Sequence, residues 1–354
     1  MHIHQILLNI IFKYLKFYDK HTFKRIDKYA NKIQIIDLYN IDYKYLDNLD
    51  DEILMDYCDV IKLDANRNHK ITDVNHMTKL RELHANNNCG IVDNGIKNVN
   101  LEILSASNNP KIKNVNHMIK LKELNANFNC GIDDHGIQNV NLEKIVVDNN
   151  KITQLRHMTK LKELSAKFSC GFYNDEVRYL NLEKLDVGHN LKISDISHMT
   201  KLKELIAVNR CGIDDDSIKN LNLEKLNAAH NKKITNINHL TKLKELNASG
   251  RCGIDDNGIK NINLEKLNVE YNEKITDVNH MTKLKELNAG GDCGIDDNSI
   301  KNINLEKLDG ECNRKITDVK HMTKLKELIV NKYSGICHNS YKNINLEKYI
   351  YKSC

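Results

Sequence analysis

The chain has 354 residues with one proline, no tryptophan, 6% aromatic, 40% hydrophobic and 29% charged residues, and a mean hydropathy of −0.55. Compact domains of this size use prolines to punctuate loops and bulky aromatics to fill a thick core, and this chain has almost none of either. It is also too apolar and too regular to be disordered, which leaves a long, thin architecture burying small and medium side chains. The net charge of +5 resides entirely in residues 1–32, and the rest of the chain sums to zero. A neutral body offers no footprint for a polyanion, so no nucleic-acid partner is expected.

Residues 1–32 place Leu7, Leu8, Ile11, Phe12 and Leu15 on one face of a helix, and a second apolar run follows at Phe23, Ile26 and Ala30. The apolar stretch from Ile6 to Phe12 is broken by Asn9, is followed by Lys13 and has no small-residue cleavage site, so it does not read as a secretory signal. No run approaches the roughly 20 apolar residues of a membrane span. Nothing follows Cys354 to make a prenylation box. The expectation is an intracellular protein, cytoplasmic or nuclear, with no membrane partner. Heavy use of Lys, Asn and Ile with a single Pro reads as the codon bias of an AT-rich genome. Residues 33–59 hold Ile35, Ile36, Leu38, Leu46, Leu49, Ile53 and Leu54 without a repeat, and are expected to form an irregular first strand and helix as a cap or linker.

Residues 60–354 are dominated by self-similarity. His-Met recurs at His76, His117, His157, His198, His280 and His321, with His-Leu at His239, at spacings of 40 or 41. Cys-Gly recurs at Cys89, Cys130, Cys170, Cys211, Cys252 and Cys293 with the same period. Each unit splits into two coils whose lead residues run from Val60, Leu80 and Leu101 to Leu325, giving fourteen coils and a stub opening at Leu346. Within a coil the pattern is Leu-x-x-Leu-x-Ala, as at Leu121, Leu124 and Ala126. In the first coil of each unit the ninth position is always Asn, from Asn68 to Asn313. Positions 4 and 6 alternate inward as a strand requires, with 3, 5 and 7 outward. Ile71, Val74, Met77 and Leu80 then recur every third residue, the period of a 3₁₀ turn.

This pattern resembles the leucine-rich repeat. The resemblance implies an α/β solenoid, a horseshoe with a parallel sheet on its concave face and short 3₁₀ or α turns on its convex face. The second coils, with Cys-Gly-Ile-Asp-Asp at 130–134 and 252–256, are similar to the cysteine-containing repeats of F-box proteins, although there the cysteine sits one position earlier. The head, with two leucines, an Ile-Phe-x-Tyr-Leu core, then Asp19 and a basic stretch, resembles an F-box that lacks the usual Leu-Pro opening and late Trp. That resemblance implies that Leu7, Leu8, Ile11, Phe12 and Leu15 contact the small adaptor of a cullin-type ubiquitin ligase, with the repeats as substrate-recognition module. The alternative is a repeat scaffold with no ligase link, its head serving as a helical cap.

Periodic Cys and His invite a metal or redox reading, and geometry opposes it. Equivalent residues two coils apart are separated by about 10 Å, two strand spacings. A disulfide needs Cα atoms within about 7 Å and zinc ligands must converge to about 2.0–2.3 Å of one ion. Buried structural thiols, in a reducing compartment, are expected, with histidines covering the convex surface. No phosphate loop, nucleophile elbow or isolated carboxylate pair stands out. No enzyme, metal or cofactor is therefore expected. Position 3 alternates in sign from Glu123 and Lys144 to Lys307 and Glu327, which reads as a self-neutralising ladder across the sheet.

A ligand of a solenoid is expected on its concave surface. Positions 5 and 7 are mostly small or polar, as at Asn125, Asn127, Asn227 and Ser249. Positions 8 and 9 carry the bulkier variants Phe128, Phe168, His189, Arg210, His230, Arg251 and Tyr271. Aromatics and Arg are enriched at interface hot spots, so these seven are the candidate contacts to a protein ligand.

Overall fold

The computed structural model describes residues 37–38, 49–55 and 57–352. The chain divides after Leu161 into two compact units. The first unit runs β1 (Asp37–Leu38), α1 (Asp51–Leu54), β2 (Lys62–Asp64), β3 (Glu82–His84), α2 (Asp93–Ile96), β4 (Ile103–Ser105), β5 (Glu123–Asn125), α3 (Asp134–Ile137) and β6 (Lys144–Val146). The second runs β7 (Glu163–Ser165), α4 (Asn174–Val177), β8 (Lys184–Asp186), β9 (Glu204–Ile206), α5 (Asp215–Ile218), β10 (Lys225–Asn227), β11 (Glu245–Asn247) and α6 (Asp256–Ile259). It continues through β12 (Lys266–Asn268), β13 (Glu286–Asn288), α7 (Asp297–Ile300), β14 (Lys307–Asp309), β15 (Glu327–Asn331), α8 (His338–Tyr341) and β16 (Lys348–Lys352). Within each unit consecutive strands pair in parallel, with position 3 facing position 3, as in Glu123↔Lys144 and Lys225↔Glu245. Each unit is thus a parallel β-solenoid.

From β2 to β14 the strands are three residues long because only positions 3–5 run straight before the coil turns. Leu124 and Ala126 are fully buried while Glu123, Asn125 and Asn127 face outward. In the first coil of each 41-residue unit the buried apolar residues fall every third position. Ile71, Val74, Met77 and Leu80 are at most 2% exposed. Separate turns carry them, with Met77 N–H to Val74 O at 3.0 Å and Leu80 N–H to Met77 O at 2.9 Å. In the second coil a single α-helical turn takes this side. Its first Asp caps the turn, as Asp214 accepts from Ser217 N–H at 3.0 Å and Asp255 from Gly258 N–H at 3.0 Å. Its second Asp reaches the next coil, where Asp215 accepts the backbone N–H of Thr235 at 2.8 Å and of Asn236 at 3.2 Å.

The Asn column holds the opposite corner. Asn231 Nδ2 donates to Ala207 O at 2.9 Å and to Ile213 O at 3.1 Å, both in the preceding coil, while its Oδ1 accepts from Lys233 N–H at 2.8 Å. Asn109, Asn190, Asn272 and Asn313 make the same bond to Ala85, Ala166, Ala248 and Ala289 at 2.7–2.9 Å. The Cys lies against this amide: Cys89, Cys170, Cys211 and Cys293 receive it at 3.0–3.4 Å on Sγ. The glycine after the Cys has a steric reason. Its N–H donates to the Asn carbonyl of the coil before, as Gly253 does to Asn231 at 2.9 Å, and a Cβ there would sit 2.5 Å from Ile234 O.

An Asn231→Ala variant leaves the buried carbonyls of Ala207 and Ile213 without this donor and the part-buried Lys233 N–H without its acceptor, so it should lose about 1–3 kcal/mol of unfolding free energy in a urea melt. Cys211→Ala leaves Asn231 both its carbonyl partners and should cost clearly less. Equal losses would count against the amide as the holding element.

Candidate functional site

The histidine column has a defined task. His117 Nε2 donates to Ile96 O at 2.9 Å, His239 to Ile218 O at 2.9 Å and His321 to Ile300 O at 3.0 Å, each the last carbonyl of the preceding helical turn. His76, His157, His198 and His280 make the same bond to Leu54, Ile137, Val177 and Ile259. Helix ends leave such carbonyls without an intrahelical donor, so the column is structural. Burial pushes the Cys89, Cys130 and Cys252 thiols up to about 11 and raises those of Cys211 and Cys293. Among the described residues no group of three or more His, Cys, Asp or Glu converges as a metal site.

The outward side of the sheet is a charged but internally paired surface. The expected ladder at position 3 is present, with Lys184–Glu204 at 2.6 Å, Lys225–Glu245 at 3.0 Å and Lys266–Glu286 at 2.8 Å. A second ladder, not anticipated from the sequence, runs at position 2: Lys122–Glu102 at 2.8 Å, Lys203–Glu183 at 2.9 Å and Lys244–Glu224 at 2.9 Å. Its lysine hydrogen bonds hold the carboxyls of Glu102, Glu183 and Glu224 below the ordinary range. Exposed pairs of this kind contribute about 0–1 kcal/mol each. In the second unit the sheet floors a shallow groove of about 440 Å³. There Asn227, Asn247, Asn268 and Asn288 accept the backbone N–H two residues on at 2.9–3.1 Å, which turns their NH₂ groups outward as donors.

None of the seven bulky candidates lies on a strand. Each sits in the turn that follows one, so the row borders the sheet face and does not floor it. The cause is a left-handed residue at position 8, which swings the chain off the sheet. Phe128, Phe168, His189, His230 and Tyr271 have φ of 53–62°, and Arg210 and Arg251 follow Asn209 (φ 60°) and Gly250 (φ 65°). The position 8 N–H still bonds to the next coil, as His230 N–H does to Ser249 O at 3.0 Å. Asn and Gly enter this conformation readily, whereas a bulky residue there carries strain on the order of 1–3 kcal/mol. The rings are nonetheless exposed, Phe128 by 51%, Phe168 by 41% and Tyr271 by 57%. Phe168 and His189 stack at 5.1 Å with planes 15° apart. The turns of the second unit are also basic, since positions 7–11 of its coils hold ten Lys or Arg against four Asp or Glu.

The head candidates Leu7, Leu8, Ile11, Phe12 and Leu15 lie outside the described residues. Among the described residues no helix is long and apolar enough to cross a membrane.

Coils of 20 and 21 residues, with inward leucines, a buried Asn corner and one parallel strand each, decide the architecture. The fold is a leucine-rich-repeat solenoid. No family model and no curated protein matches the chain. Among solved structures 82 chains match. The protein is similar to a chain of the TLR13–ssRNA13 complex, at 19% identity and TM-score 0.49, over 90% of its own length and 61% of the other's, so it spans about three-fifths of that chain. It is similar to the yeast Rad7 and Elc1 complex at 15% identity and TM-score 0.46, over 73% of this chain and 84% of that one. The functional domain of InlJ from Listeria monocytogenes, which includes a cysteine ladder, matches at 18% identity and TM-score 0.41, over 78% and 66%.

Exposure and acidity separate the thiols. Cys58 and Cys337 are exposed, and a hydrogen bond with the Ser340 hydroxyl holds the Cys337 thiol below its ordinary range. With a disulfide-exchange reagent at pH 8, Cys337 should react fastest among the described cysteines. The six Cys-Gly thiols should stay protected until urea unfolds the protein, and rapid modification of Cys252 in the native state would contradict their structural role.

Proposed function

We propose that this protein is a non-enzymatic scaffold that captures a protein ligand along the turns bordering its sheet. The observation that carries the reading is the left-handed column. The backbone is served equally well there by Asn108, Asn149, Asn209, Gly250 and Gly291, yet at five positions the chain carries an exposed ring instead. Strain retained where a strain-free residue is available in neighbouring coils points to the side chain's use and away from the scaffold's need. Exposed aromatics with Arg210 and Arg251 beside them have the composition of protein hot spots. The paired ladders beside them supply a neutral surface whose charges are already engaged.

The test exploits the same conformation. Glycine is the strain-free residue at position 8, so Phe168→Gly combined with Arg210→Ala and Arg251→Ala should leave the urea midpoint unchanged or raised. Affinity for a partner recovered by photo-cross-linking from position 189 should fall at least ten-fold. Phe128→Gly, tested separately, should weaken the same partner if the first unit takes part. Unaltered binding in both variants would falsify this assignment.

A finer form of the proposal makes the scaffold the substrate-recognition subunit of a cullin-type ubiquitin ligase, docked through Leu7, Leu8, Ile11, Phe12 and Leu15. The support is the sequence order of that head, placed before cysteine-type repeats. Leu8→Asp with Phe12→Asp should abolish co-purification with the ligase adaptor while the repeats remain folded. If the intact chain captures no adaptor, the head is a cap and the scaffold acts without a ligase.

A further inference from the structure

We propose that the turn cavity between His230 and Tyr271 is a pocket for an aromatic side chain flanked by carboxylates in an extended segment of a partner protein. This rests on the reading of the chain as a protein-binding scaffold, and it names the chemistry of what is captured.

The two rings are built into the turns in the same way. His230 and Tyr271 are both left-handed, at φ 58° and 55°, and each is followed one coil later by a glycine at the equivalent position. A Cβ on Gly250 would lie 2.2 Å from His230 Cε1, and one on Gly291 would lie 2.3 Å from Tyr271 Cε1. Each ring therefore lies over the next coil's turn, and both glycines are buried beneath them. The imidazole is further held by the Arg251 N–H, which donates to His230 Nδ1 at 3.4 Å. Ring and glycine act as matched pairs, and the outer side of each ring stays exposed.

A cavity of about 940 Å³ opens between the pairs, bordered by both rings and by Arg251. The rings occupy turns two coils apart, about 10 Å at strand spacing. Aromatic rings prefer centroid separations of about 4.5–7 Å, so this spacing leaves room for one further ring between them.

Charge selects what accompanies that ring. Lys232, Arg251 and Lys274 reach the cavity and make no ion pair among the described residues, unlike the sheet lysines. Glu273 and Asp292 line it as well. The excess of one cation suits a carboxylate or two beside the aromatic group. A single-stranded nucleic acid would bring a phosphate at every residue against Glu273 and Asp292, so the mixed lining favours a peptide.

The experiment uses the full chain and fluorescein-labelled heptapeptides, read by anisotropy. Ser-Gly-Glu-Tyr-Glu-Gly-Ser should bind saturably. Replacing its Tyr by Ala, or both Glu by Lys, should weaken binding at least ten-fold. On the protein side, Tyr271→Gly and Arg251→Glu should each weaken the first peptide about ten-fold or more. Tyr271→Gly should do so with an unchanged or higher urea midpoint, because glycine already serves this position at Gly250 and Gly291. No binding of the first peptide at millimolar concentration would overturn the pocket, as would equal binding of the Ala peptide. Binding of a uridine decamer that both variants weaken would replace the peptide by nucleic acid. If the cross-linked partner is retained undiminished by Tyr271→Gly, this pocket fails and the scaffold reading stands. If the chain captures no protein at all, the scaffold reading itself fails.

Discussion

The structure depends on how a thin coil satisfies its own backbone. Each coil turns back across an apolar interior, so the carbonyl at position 6 points into a region without water, and buried backbone groups need partners. The Asn amide answers this from the following coil, donating backward and accepting from its own turning chain. Donor and acceptor thus belong to neighbouring coils of different kinds. Asn231 serves Ala207 O and rests on the Cys211 sulfur, while the second coil carries no such Asn and supplies the carbonyl and the thiol. This division of roles explains why the sequence repeats every 41 residues although the coil repeats every 20 or 21. It also assigns the thiol: a small, weakly accepting group that fits beneath an amide and, raised to about 11 at Cys89, Cys130 and Cys252, stays neutral there.

The side opposite the sheet follows the same rule with other residues. The helical turn of the second coil exposes N–H groups at its start and carbonyls at its end. The first Asp takes the former and the histidine of the next coil the latter, while the second Asp reaches forward to two backbone N–H groups of that coil. The histidine and the second Asp tie each helix-bearing coil to its successor besides the sheet, so the interface between these coils is polar at its corners and apolar within.

Legibility in the sequence divides along this line. The strand alternation, the buried leucines and the Asn corner were readable because they repeat as residue types at short spacing. The roles of the glycine after Cys, of the second Asp and of the histidines were not, because their partners lie 18–22 residues away and only the stacking of coils brings them together. His239 could be seen to recur, but Ile218 O is not a residue type. The left-handed turn was hidden for a different reason. What is constant at position 8 from Arg67 to Cys312 is a backbone dihedral, filled by Arg, Asn, Gly, Phe, His, Tyr or Cys, so no letter marks it. The seven bulky residues are legible in the sequence as a variable row, whereas their place in the turns, beside the sheet face and not on it, is not.

That constancy of dihedral with variety of side chain bears on how the molecule can carry specificity. At the leucine, Asn and glycine positions any change disturbs packing or strands a polar group. On the sheet face, positions 2 and 3 are committed to cross-strand ion pairs, so a change in one coil unbalances its neighbour. Position 8 is bound by neither constraint: its N–H is held by the position 7 carbonyl of the next coil, as at Phe128, Phe168, His230 and Tyr271, and the bulky side chains there are exposed. The cost of a bulky residue is strain in its own turn and, for His230 and Tyr271, a glycine at the equivalent position one coil on. A solenoid of this kind can therefore alter its contact surface coil by coil without rebuilding its core, and the coils bearing rings are where that freedom has been used.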